Sequence, residues 1–296
     1  MTRFVVLGNS EAVVRSAKAL LGSGMEVAAF ISMTTRASEG ENLAKQHKIP
    51  YHEVDDINSW GSVEILRRYA PDYIIESWPK AIAPEIMKIP KAVIGIHPIC
   101  GDNSLQWLIQ LGCKKSHLCF RLGDEAYIQL PFTISDEDTI ADVLRKINDA
   151  AENGTKKIAR MIKNEELKSA PLQDSKQWRD TTPHDMVIDP RMSGDMIVRI
   201  VRSCTRPYAC ASLIINDSII KVVFARIAKQ KADRETEQGK IMKIEGHILS
   251  FKADDAVIEA ACENIPEKVA QEKYIHPPSY YIERSSELRE KLKKSK

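Results

Sequence analysis

The sequence predicts an α/β fold: a doubly wound, mostly parallel sheet in the first half of the chain and a smaller antiparallel β domain after it. Short apolar, β-branched runs alternate with stretches whose apolar residues fall at helical spacing, the pattern of successive β-α-β units. The composition then changes at residues 164–190, which are polar and carry Pro171, Pro183 and Pro190. Beyond them, apolar runs are separated by Asn216-Asp217, Glu245-Gly246 and Asp254-Asp255, the turn signals of an antiparallel sheet or barrel. These changes divide the chain into residues 1–165, a linker at 166–190, a small β domain at 191–265 and a tail at 266–296.

The elements follow in order. Residues 4–7 are an apolar strand, and Gly8-Asn9-Ser10 lead into a helix whose Val13, Val14, Ala17, Leu20 and Leu21 share one face. Ser10 is placed to cap it, Glu11 suits the positive end of its dipole, and Gly22 and Gly24 stop it. A strand at 27–31 completes the unit, which lacks the full Gly-x-Gly-x-x-Gly fingerprint of a dinucleotide site. A helix near 41–47, a strand at 51–54, a helix capped by Asn58 or Ser59 and a strand at 72–75 continue the alternation. That last strand runs into Glu76-Ser77-Trp78-Pro79.

Residues 91–98, Lys-Ala-Val-Ile-Gly-Ile-His-Pro, read as a buried central strand. Pro98 has no N–H to extend the ladder, so His97 sits at the strand's carboxyl end. Two strands, 117–122 and 127–134, are joined by Gly123-Asp124-Glu125, with His117 at the end remote from His97. Ser135 to Asp138 cap a long helix, whose middle Asn153-Gly154 soften. In the second half, Ser193 caps a helix through Val201, residues 229–240 form a charged mobile loop, and residues 287–296 form a frayed basic tail.

Bulk properties exclude several classes. The 296 residues carry 28% charged side chains and a net charge of +2, which gives no global drive toward nucleic acid or membranes. No apolar run approaches the roughly 18–20 residues of a membrane span. The strand pattern starting at Phe4 leaves no room for a signal peptide, so the expected location is cytoplasmic. The six cysteines include no Cys-x-x-Cys pair and read as reduced, buried thiols rather than disulfides or metal ligands.

Three loops converge on the carboxyl edge of the predicted sheet: Gly8-Asn9-Ser10, Ser77-Trp78-Pro79, and the segment after His97. Ligands of open α/β sheets bind at that edge. Here the sequence resembles the folate-dependent formyltransferases. Gly95-Ile96-His97-Pro98 stands in the place of their Asn-x-His-Pro, and Gly101 to Trp107 is similar to the start of their next helix. Ser77-Trp78 followed by Ala83-Pro84-Glu85-Ile86 matches their folate-side loop. Asp138-Thr139 matches the opening of their long helix, and Arg202 to Tyr208 resembles the opening of their C-terminal domain.

The resemblance covers roughly residues 3–260 and implies a Rossmann-like first domain with an OB-like barrel as the second. It implies transfer of a one-carbon group from 10-formyltetrahydrofolate, as co-substrate, to an amine. The amine is an amino sugar nucleotide, an amino-acid derivative or methionyl-tRNA, with tRNA disfavoured by the weak charge. It also leaves a homo-oligomer open. His97 is then the general base, with Asp124 as its candidate carboxylate partner. Ser77, Trp78 and Pro79 fall on the folate side, where Trp78 either stacks on the pterin or packs inward. Gly8, Asn9, Ser10, Asp102 and Asn103 fall on the substrate side, and either Asp102 or Asn103 replaces the missing asparagine or caps the next helix. Two departures favour an alternative, a catalytically degenerate relative acting in binding or assembly. Gly95 replaces the family's asparagine, and the loop that carries its aspartate is shortened to Leu122-Gly123-Asp124-Glu125.

Overall fold

The computed structural model describes residues 1–294 except 34–38, 102–103, 173–177, 231, 234 and 284. In chain order the first elements are β1 (Arg3–Leu7), α1 (Glu11–Gly22), β2 (Glu26–Met33), α2 (Glu39–His47), β3 (Tyr51–Val54), α3 (Trp60–Tyr69) and β4 (Tyr73–Glu76). Next come α4 (Pro84–Met87), β5 (Ala92–Pro98), α5 (Leu105–Gln110), β6 (Lys115–Leu122), β7 (Glu125–Thr133), α6 (Ile140–Lys163) and β8 (Ala170–Pro171). The last are α7 (Gly194–Ser203), β9 (Ala211–Ile215), β10 (Ser218–Ile227), β11 (Ile241–Glu245), β12 (Ile248–Lys252), β13 (Val257–Cys262), α8 (Glu267–Ala270), α9 (Pro278–Ile282) and α10 (Ser286–Lys293). Residues 1–102, 115–133 and 144–177 form one compact unit, and 103–114, 134–143 and 178–296 form the other.

The first unit is built on an eight-stranded sheet ordered β3-β2-β1-β4-β5-β6-β7-β8. Strands β1 to β5 pair in parallel, and β6, β7 and β8 add antiparallel to β5 and to each other. The strand carrying His97 is central, as expected, and is the last of the parallel run. The winding reverses between β1 and β4, the point at which sheets of this kind open a crevice. Ser10 and Ser59 cap α1 and α3, each accepting a backbone N–H. On one face Val5, Leu7, Ile31, Ile74 and Val93 pack with Val63 and Leu66 of α3 and Ile86 of α4.

The opposite face carries Phe120, against which α6 packs. Helix α6 is continuous through Gly154, so this glycine does not soften it. A side chain at 154 would overlap the Phe120 ring and put its Cβ 2.7 Å from Leu130 Cδ1.

Antiparallel pairing of β6 overturns one expectation. His117 lies at the same end of the sheet as His97, because Ile99 N–H donates to its carbonyl at 3.0 Å.

The second unit holds a five-stranded antiparallel sheet, ordered β11-β12-β13-β10-β9, with α7 against β10. Among the described residues no ladder joins β9 to β11 to close it into a barrel. Ser193 caps α7 as expected. Arg202 on α7 donates to the carbonyls of Asp136 and Asp138, fixing the turn that precedes α6. Residues 286–293 are not frayed: Ser285 caps α10, whose Leu288 and Leu292 are buried with Val187, Ile214 and Tyr281. Among the described residues no helix is long and apolar enough to cross a membrane. All six thiols are free, and burial pushes those of Cys204 and Cys262 up to about 11 and about 12.

Gly154→Ala improves intrinsic helix propensity by about 1 kcal/mol, but overpacking of this kind costs about 1–3 kcal/mol. The variant should therefore melt below the wild type in a thermal scan.

Asp185 provides a pH test. Burial alone would raise its carboxyl, but the Arg179 guanidinium and two donors from Thr182 outweigh that and hold it below 3.8. The unfolded chain then takes up the proton first, so this stabilisation is complete above the unfolded pKa and is lost as pH falls through the folded one. Denaturant midpoints between pH 5 and pH 3 should fall less steeply in Asp185→Asn than in the wild type.

Candidate active site

The candidate site is assembled where β1, β4 and β5 end. Gly8 follows β1 with φ +120°, and a Cβ there would meet the Ser77 carbonyl at 2.8 Å. Ser77 in turn donates its N–H to the Leu7 carbonyl at 3.0 Å. The two loops at the switch point are thus drawn together with no side chain between them. Asn9 and Pro79 are exposed at this edge, and Ser10 and Ser77 are half-buried. Trp78 is 4% exposed, and its ring belongs to the apolar cluster with Ile82 and Ile86. Its inward packing takes the place of an open stacking platform. Asp102 and Asn103 lie outside the described residues.

His97 has a carboxylate beside it, and that carboxylate is Glu76. The two strands pair so that Glu76 sits opposite Gly95, two residues before His97 on the same face. His97 Nε2 lies 3.1 Å from Glu76 Oε1, and the side chains are only 14% and 11% exposed. The second oxygen, Oε2, accepts the backbone N–H of Trp78 at 2.6 Å. An ionised Glu76 only accepts, and in that state Nε2 is the donor of this contact.

Asp124 does not reach this pair. It is exposed in the β6–β7 turn, and Cys119, not Asp124, is the ladder partner of His97. From Cys119 to Leu122, the last residue of β6, the strand already covers about 10 Å away from the histidine, at about 3.3 Å per residue.

Gly95 makes the pair possible. A Cβ at this position would lie 2.5 Å from Glu76 Oε1, 2.9 Å from His97 Cδ2 and 3.1 Å from His97 Nε2. A side chain at 95 and the Glu76 carboxylate would therefore compete for the same volume. The sequence offered one signal for Glu76, an acidic residue ending an apolar strand. Its partner is 21 positions away in the chain, so only strand register brings the two together. Among the described residues no three His, Cys, Asp or Glu side chains are grouped as metal ligands would be.

Replacing a strand glycine by alanine is ordinarily stabilising by roughly 0.5–1 kcal/mol. Gly95→Ala should instead destabilise by about 1–3 kcal/mol, because the new methyl displaces the Glu76 carboxylate from His97. Gly22→Ala, which meets open space, serves as the control in the same denaturation series.

No family model matches this chain. In sequence it is 25% identical over 231 residues to the bifunctional polymyxin resistance protein ArnA of Wigglesworthia glossinidia brevipalpis. The match takes in 73% of this chain and 35% of that protein. The chain thus spans about a third of the length of this curated relative. Among solved structures it superposes on WlaRD, a sugar 3N-formyl transferase determined in the presence of dTDP and 5-N-formyl-THF. That TM-score is 0.65 at 16% identity, covering 90% of this chain and 99% of that one. The N-formyltransferase of Helicobacter canadensis, in complex with folinic acid and dTDP-3-aminofucose, gives 0.64 at 14% identity over 88% and 100% of the two chains. HypX of Aquifex aeolicus, in complex with tetrahydrofolic acid, gives 0.64 at 15% identity over 87% of this chain and 43% of its own. Over most of its length, then, this chain has the fold of the folate-dependent formyltransferases.

Proposed function

We propose that this protein is a formyltransferase-type enzyme that moves a formyl group from 10-formyltetrahydrofolate to the amine of a small acceptor. The observation that carries this reading is the Glu76–His97 pair at the carboxyl end of β5, beside the switch-point crevice of a formyltransferase fold. The acceptor nitrogen attacks the formyl carbon and gives its proton to Nδ1 of His97. The carbonyl π pair moves onto oxygen, then returns as the bond from carbon to N10 breaks. N10 leaves with that electron pair and takes the proton from the imidazolium. The products are the formamide and tetrahydrofolate, and His97 is returned to its starting form. Glu76 holds the ring in the tautomer this needs and stabilises the imidazolium between the two transfers.

The polar rim of Asn9, Ser10 and Ser77 suits a hydrogen-bonding ligand. An amino sugar nucleotide is the favoured acceptor class, since WlaRD is a sugar N-formyl transferase and the Helicobacter enzyme is bound to dTDP-3-aminofucose. The degenerate alternative keeps one specific point in its favour: Gly95 offers no side-chain donor to the formyl oxygen.

Calorimetric titration with 5-formyltetrahydrofolate, followed by assay of amino sugar nucleotides, amino acids and methionyl-tRNA, separates the readings. Turnover on a small amine is expected. His97→Ala should lower kcat by about 10²–10⁴, the usual worth of a positioned base, while leaving folate affinity within a few-fold. Glu76→Gln should lower kcat and shift the acid limb of its pH profile. Absence of folate binding at millimolar ligand would remove the transferase reading, and binding without turnover on every acceptor would favour the degenerate one.

A further inference from the structure

We infer that Arg121 supplies the oxyanion stabilisation that Gly95 cannot, by donating from its guanidinium to the formyl oxygen as charge develops there. The inference rests on the formyl-transfer reading above and assigns that site a further catalytic residue. Arg121 is the ladder partner of Gly95 on β6, as Glu76 is on β4. The row Glu76–Gly95–Arg121 therefore points to one face of the sheet, the face that also carries His97 and its partner Cys119. Across the bare glycine, a carboxylate and a guanidinium stand on strands about 10 Å apart, two strand spacings of about 4.8 Å.

Three observations favour this role. Arg121 is half-buried, yet among the described residues no carboxylate, carbonyl or hydroxyl is paired with its guanidinium. Burial raises the Cys119 thiol, and the Gln129 amide and the Arg121 charge oppose that rise, so the positive charge is felt at the ladder partner of His97. The sign of the site also demands a cation. Glu76 Oε1 lies 2.5 Å from where a side chain at 95 would begin, and a negative charge there opposes an oxyanion. A guanidinium on the other flank offsets it and offers planar donors. In the reaction Arg121 gains and loses no proton. It donates to the oxygen while the π pair resides there, and its hydrogen bonds weaken again when the carbonyl re-forms.

The test compares wild type with Arg121→Met and Arg121→Lys in two measurements. In steady state, Arg121→Met should lose about 10²–10³ in kcat, the usual cost of one oxyanion donor. KM for both substrates should stay within about twofold, and Arg121→Lys should recover part of the loss. The second measurement needs no turnover. The carbonyl stretch of a bound, ¹³C-labelled 10-formyl folate analogue should lie at lower frequency in wild type than in Arg121→Met. If kcat survives in Arg121→Met, or if KM for the amine rises while kcat holds, the assignment to the oxyanion is overturned. An unchanged carbonyl stretch overturns it as well. A stretch shift in a protein without turnover on any amine would uphold the placement of Arg121 and sink the transferase reading instead.

Discussion

The architecture of the site depends on one volume, the space above Gly95. An imidazole and a carboxylate from neighbouring strands meet there, and neither would remain in place if residue 95 had a side chain. Burying such a pair carries a desolvation cost that its attraction only partly offsets, so the pair is poorly explained as a device for stability. It is better explained by orientation. Glu76 is held by the backbone N–H of Trp78 through Oε2, and that hydrogen bond leaves Oε1 to face Nε2 of His97.

The sheet supplies the rest of the geometry. Parallel strands bring their carboxyl ends to one edge, which gathers Gly8, Ser77 and His97. The change to antiparallel pairing at β6 then lays Cys119 and Arg121 alongside His97 and Gly95, so the far side of the site is walled by residues that follow it in the chain. The apolar clusters beneath this edge hold the strands in register. Trp78 belongs to that core: its ring anchors the loop whose backbone holds Glu76.

Several residues that carried the family resemblance prove to be structural fasteners within the second unit. Arg202 binds the carbonyls of the 136–138 turn. Trp107 donates its indole N–H to the Arg179 carbonyl at 2.9 Å and lies under the guanidinium of the same residue. That guanidinium then grips Asp185. In this chain, then, these residues serve architecture more than chemistry.

Much of the fold was legible in the sequence because it is local. Helical and strand periodicity, the caps Ser10 and Ser193, the turns, and the placing of His97 at a strand end depend on neighbours a few residues away. The loop residues at the switch point were legible for the same reason. What stayed hidden depends on register and chain direction. The sequence pointed to Asp124 as the partner of His97 because it is an acid in a nearby turn, yet antiparallel pairing carries that turn away and parallel pairing brings Glu76 in. The same reversal put His117 at the His97 end and set Arg121 beside Gly95. Charge alone suggested a loose tail, whereas Leu288 and Leu292 found an apolar surface to bury. By itself the sequence determined the elements, their order and the histidine. The tertiary structure decided which side chains surround that histidine, because such contacts are set by the pairing of distant strands and by the space that one missing side chain leaves open.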